Sequence, residues 1–197
     1  MSQGLRRAFP RHRLDPIVQL LARTGITPNA ITWTGCLLSA AAGALVAVDA
    51  VALGGWVSLL AGGLDMFDGA LARATNRATR FGALLDSTLD RYSEALILGG
   101  VLLYATARHD LALSGLVFLA TLGSLMVSYV KARAEGLGLA CDVGLFTRPE
   151  RVVVVGLGLV TGWLLPAMVV MAVFTNITAA QRVLHVRRQL DQIEESG

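Results

Sequence analysis

Residues 65–90, DMFDGALARATNRATRFGALLDSTLD, set four carboxylates and three arginines inside a chain that is otherwise soluble in lipid. On a helix, Asp65 and Asp68 at i, i+3 share one face, and Gly82, Asp86 and Asp90 at i, i+4, i+8 share another. Two helices joined by a tight connection over 76–80 can therefore aim four acids at one point. An unpartnered acid at mid-bilayer costs roughly 2.5 to 3.5 kcal/mol, so four together cost about 10 kcal/mol before their mutual repulsion is counted. Positive charge has to sit among them. Two divalent cations would balance four carboxylates, and hard oxygen ligands suit Mg²⁺, Mn²⁺ or Ca²⁺ better than a soft metal.

Working outward, 54% hydrophobic and 16% charged residues in 197, with a mean hydropathy of +0.61, exclude an ordinary soluble domain and predict an all-α polytopic membrane protein. The net charge of +3 does not predict nucleic acid as a partner, because the basic residues are dispersed among apolar segments. Cys36 in an apolar helix and Cys141 in a polar loop form neither a disulfide framework nor a CxxC site, and His12, His109 and His185 lack zinc-ligand spacing.

Residues 1–26 divide off as a cytoplasmic leader and juxtamembrane amphipathic helix: Asp15 and Pro16 make an N-cap and N1 pair, apolar residues follow, and Gly25 is the stop. Residues 27–197 form the membrane domain, with six transmembrane helices. Thr27 and Pro28 open span one; span two runs over 51–75, span three over 81–106, span four over 111–130 with a helical extension through Lys131 and Arg133. A capping box at Thr147 and Glu150 starts span five, which continues to about 165, Pro166 marks a turn, and span six runs over 167–180. With six spans, every Lys and Arg of the 17 except Arg108 falls on one face. That face is cytoplasmic by the positive-inside rule, and it holds both termini and the acidic stretch of a multi-pass plasma or inner membrane protein.

Arg73, one turn beyond Gly69, points to the same mouth as Asp65 and Asp68 and can hold a phosphate bidentately. Lys131, Arg133, Arg148, Arg151 and Arg182 end or begin three helices on that same side. Each alone is a topology signal; converged, they make a pocket for an anionic substrate. Acidic metal ligands beside basic phosphate clamps point to phosphoryl transfer.

The pattern Asp65-x-x-Asp68-Gly69-x-x-Ala72-Arg73, then Gly82-x-x-x-Asp86-x-x-x-Asp90, resembles in full the signature of the CDP-alcohol phosphotransferases, membrane enzymes of phospholipid head-group synthesis. Within that family the segments 128–135 and 148–151, with Gln181 and Arg182, are similar to those of prokaryotic phosphatidylinositol phosphate synthases. The resemblance implies transfer of phosphatidyl from CDP-diacylglycerol to 1L-myo-inositol 1-phosphate, giving phosphatidylinositol phosphate and CMP. It implies two Mg²⁺ or Mn²⁺ ions held by Asp65, Asp68, Asp86 and Asp90, with Asp90 also the general base. It further implies CDP-lipid contacts from Asn29, Ala30, Ile31, Thr32, Gly69, Arg73 and Thr79, an acceptor site of Lys131, Arg133, Arg151 and Arg182, and a homodimer. The runner-up within the family is phosphatidylglycerophosphate synthase, whose smaller acceptor fits the four basic residues less well. From a different class, a divalent-cation transporter would use intramembrane acids, but the outer half of the predicted bundle has none.

Overall fold

The computed structural model describes residues 26–75 and 79–196, with the side chains of Met66, Asp68, Arg73 and Ser196 outside the description. The leader and its predicted amphipathic helix lie outside the described residues, as do 76–78 of the connection.

Six helices carry the described chain: α1 (Pro28–Ala47), α2 (Val51–Ala74), α3 (Arg80–Ala107), α4 (Leu111–Gly136), α5 (Arg148–Thr161) and α6 (Leu164–Ser196). Local chemistry sets their ends. Thr27 caps α1, accepting from the Ala30 N–H at 3.3 Å with Pro28 at the first helical position. Thr79 caps α3 by accepting from Gly82 N–H at 2.9 Å, and Asp110 caps α4 by accepting from Leu113 N–H at 2.9 Å. The capping box of α5 is present, with Glu150 accepting from the Thr147 N–H at 2.9 Å.

Four helices, α1, α2, α4 and α6, are long and apolar enough to cross a bilayer, and the protein is a membrane protein. The other two differ for distinct reasons. Helix α3 has 28 residues but carries Asp86, Asp90, Arg91 and Glu94 between its second turn and its middle. Helix α5 has only 14 residues, about 21 Å of rise against a hydrocarbon core of about 30 Å. It starts deep, however: Arg148 at its first turn pairs with Asp65, which lies nine residues, roughly 14 Å, inside the end of α2. The connection over 137–147 makes that depth possible by running down α6, with Gln189 Nε2 donating to Ala140 O at 2.9 Å and Phe146 N–H donating to Thr178 Oγ1 at 3.1 Å.

The expected turn at Pro166 is displaced. The break between α5 and α6 falls at Gly162, which takes a left-handed φ of 76°, and Pro166 sits in the first turn of α6, where its missing N–H costs no helical hydrogen bond. Helix α6 then continues unbroken for 33 residues, about 50 Å, so its C-terminal end, where Arg187 and Arg188 are followed by Asp191, Glu194 and Glu195, projects beyond the hydrocarbon.

The helices close into a ring. Helix α1 packs on α2 and α3, α3 on α4, α4 on α6, α6 on α5, and α5 back on α2. Helices α3 and α5 are not among the closely packed pairs; they face each other across the ring. Its half far from the acids is filled by Val46, Val101, Ala105, Leu159, Met168 and Met171, all fully buried or nearly so. Near the acids the ring is left partly open.

Candidate active site

Asp65 comes from α2, and Asp86 and Asp90 from α3. One carboxylate oxygen from each lies within 4.8 Å of the other two. Two helix faces that the spacing aligned are thus brought together. Asp68 lies one turn after Asp65 on α2, and its side chain, like that of Arg73, is outside the described atoms. Asp86 is engaged by neighbours.

The cluster contains a positive charge that the spacing of the acids did not predict there. Arg148, at the first position of α5, forms a bidentate hydrogen-bonded pair with Asp65, and its Nη2 lies 2.9 Å from Asp90 Oδ1. A cation at a helix N-terminus opposes the macrodipole; here two carboxylates compensate. Arg91 Nη1 stands 3.8 Å from Asp90 Oδ2. The compensation is incomplete, because the buried Asp90 Oδ1 and Arg148 Nε each lack a hydrogen-bond partner of proper geometry. Three converging carboxylates with one poorly satisfied oxygen are a hard-oxygen donor set that fits a divalent cation, and such an ion would compete with Arg148 for the same acids.

One turn beyond Asp90, Glu94 holds Arg151 of α5, with Nε to Oε1 at 2.7 Å and Nη2 to Oε2 at 2.9 Å. Arg151 is 3% exposed. Beneath the acids a small cleft of about 40 Å³ is lined by Asp65, Glu94, Arg148 and Arg151 and by the small Ser39 and Ser58.

The residues expected around the CDP moiety fall at the N-terminal ends of α1 and α3 and the C-terminal part of α2. Asn29 lies against Gly82, where an added Cβ would come within 3.4 Å of Asn29 Oδ1. Ile31 is core and packs with Leu71 of α2, Ala30 is exposed, and Thr32 donates to Pro28 O at 3.1 Å. Thr79 serves as the cap of α3, and Gly69 is half-buried on α2. The residues expected to hold the acceptor are dispersed by role. Arg151 faces the cleft. Lys131 pairs with Asp142 at 2.8 Å, and Arg182 is buried and donates to Val143 O at 2.9 Å and Val127 O at 2.5 Å. Arg133 is exposed in the last turn of α4.

The sequence reading missed Glu94 and grouped Arg148 with the basic residues of an anionic pocket, whereas it lies on Asp65 and Asp90. For Glu94 a signal existed, since it extends the four-residue spacing of Gly82, Asp86 and Asp90 by one more turn.

The profile of the CDP-alcohol phosphatidyltransferase family matches residues 25–186. The chain belongs to that family. It is 38% identical to the archaetidylinositol phosphate synthase of Methanothermobacter thermautotrophicus over 91% of both chains. It is also 38% identical to the phosphatidylinositol phosphate synthase of Mycobacteroides abscessus, over 88% of this chain and 83% of that one. The fold superposes on the crystal structure of Mycobacterium tuberculosis phosphatidylinositol phosphate synthase with CDP-DAG bound, with a TM-score of 0.80, 35% identity, and 87% and 92% of the two chains covered. A second structure of that enzyme, in complex with manganese and citrate, gives a TM-score of 0.79 at 36% identity, covering 87% of each chain. Family membership makes this chain a transferase of phospholipid biosynthesis.

Proposed function

We propose that this phosphatidyltransferase moves a phosphatidyl group from CDP-diacylglycerol to 1L-myo-inositol 1-phosphate, releasing CMP. The observation that carries the reading is the convergence of Asp65, Asp86 and Asp90 beside two arginines on α5, in a chain equally similar to two synthases named for inositol phosphate lipids.

In this reading Asp65, Asp68, Asp86 and Asp90 hold two Mg²⁺ or Mn²⁺ ions, which when bound would offset charge on the attacking and leaving oxygens. Asn29, Ala30, Ile31, Thr32, Gly69, Arg73 and Thr79 bind the CDP end of the lipid. Asp90 accepts the proton of an inositol hydroxyl as its oxygen bonds to the phosphatidyl phosphorus, and the bond from that phosphorus to the CMP oxygen breaks. Lys131, Arg133, Arg151 and Arg182 draw the acceptor phosphate, and the half-open ring admits it from the cytoplasmic side. All six helices count as spans, α5 completing its crossing from a deep start, and the protein works in the cell membrane as a homodimer with both termini inside.

Purified protein given CDP-diacylglycerol and Mg²⁺ with either inositol 1-phosphate or glycerol 3-phosphate is expected to release CMP only with the first. Release only with the second would transfer the reading to phosphatidylglycerophosphate synthesis. Metal flux into sealed vesicles without CMP would indicate a transporter. One relative is named for an archaetidyl product and the other for a phosphatidyl product, so CDP-archaeol belongs in the same assay as a second donor.

A further inference from the structure

We infer that Glu94 is a positioning residue for the acceptor: it fixes the guanidinium of Arg151 by one edge, Nε and Nη2, and leaves Nη1 for the acceptor phosphate. The inference rests on the acceptor reading above and extends it to a residue outside the family signature.

A structural ion pair is the plain alternative, and three observations argue for more. First, a buried pair is a poor source of stability, because removing two charges from water offsets most of their attraction. Second, the pair, though buried, borders an opening in the ring. Helices α3 and α5 face each other without close packing, and both Glu94 and Arg151 line the cleft between them. Third, Arg148 and Arg151 sit at i, i+3 on α5 and meet Asp90 and Glu94 at i, i+4 on α3, making two parallel rungs across that cleft. In the first rung the arginine lies on acids suited to a metal. In the second, Glu94 offers Arg151 a bidentate partner of its own and so keeps a second guanidinium off Asp65 and Asp90. An arginine held flat by two hydrogen bonds also loses less rotamer freedom when a phosphate arrives.

The test is full-length protein in detergent or nanodiscs, with steady-state constants measured for both the CDP-lipid and the acceptor. Glu94→Gln keeps the shape and removes the charge. It is expected to raise the acceptor KM about tenfold or more, with kcat within about twofold and the CDP-lipid KM unchanged. In an Arg151→Ala background, Glu94→Gln should add nothing further to the acceptor KM. A fall in kcat with both KM values unchanged, or effects that multiply in the double variant, would overturn the inference and leave a structural pair. If Glu94→Gln does not give folded protein, Glu94→Asp is read instead: its shorter arm displaces the guanidinium, so a raised acceptor KM supports the inference and an unaltered one overturns it. Running inositol 1-phosphate beside glycerol 3-phosphate separates the two claims. Turnover of the second alone would sink the inositol reading, yet the role of Glu94 would still be decided, since both acceptors carry the phosphate.

Discussion

At the scale of single residues, the site is a matter of charge balance. Asp65 and Asp90 share Arg148, and deleting that guanidinium leaves two partly buried carboxylates without their positive partner, which is destabilising. Arg148→Ala should therefore lower the melting temperature of the ion-free protein, while Mn²⁺ stabilises the variant by more degrees than it does the wild type because no guanidinium competes. Thermal melts with and without Mn²⁺ check this; an equal Mn²⁺ gain in both proteins would remove Arg148 from the competition. Asp90→Asn, which keeps the shape but cannot take a proton, should reduce CMP release at least about 100-fold while CDP-lipid binding persists. A near-normal rate would end the base assignment. Cys141 illustrates a different residue-scale fact. It lies in a loop the sequence marks as polar, yet it is fully buried, and that burial pushes its thiol above the usual range.

At the scale of elements, the ring depends on close helix contacts at glycine. An added Cβ at Gly100 of α3 would stand 2.2 Å from Gly43 O on α1, and one at Gly43 would stand 2.3 Å from Leu96 O. Backbone touches backbone there, as small residues permit between membrane helices. Gly100→Ala should force α1 and α3 apart at a cost on the order of 1 to 3 kcal/mol, outweighing the better helix propensity of alanine. The check is a lowered melting temperature in detergent, with Gly99→Ala as the control because nothing lies within 4 Å of a Cβ at Gly99. The same contrast separates small residues that serve packing within the chain, Gly100 and Gly123, from Gly99 and Gly115, which meet no neighbour.

At the scale of the whole molecule, the distribution of charge predicts which way the ring faces. Arg108, the basic residue on the opposite side, is neutralised locally by Asp49 at 2.7 Å and lies 3.9 Å over the Tyr104 ring. The C-terminal part of α6, which carries Arg182, Arg187 and Arg188, should then be cytoplasmic. A single cysteine replacing the exposed Glu195, in a background with Cys36 and Cys141 changed to serine, should react with a membrane-impermeant maleimide in inside-out vesicles and be protected in right-side-out ones. The reverse labelling would invert the orientation.

Local sequence was enough for the helices and the family. Spacing of three and four residues places Asp65, Asp86 and Asp90 on converging faces, and proline, threonine and aspartate fix the ends of α1, α3, α4 and α5 through local hydrogen bonds, so neighbours along the chain suffice. The boundary at Pro166 went astray because proline is as welcome in a first turn as in a break, and the αL residue that ends α5 is Gly162. Only the tertiary structure decided the partners of the arginines. Arg148 reaches an acid 83 positions away and Arg151 one 57 positions away, and no periodicity along one helix encodes which charge on another will meet it. That choice is made when the ring closes and Arg148 and Arg151 meet carboxylates that water no longer screens.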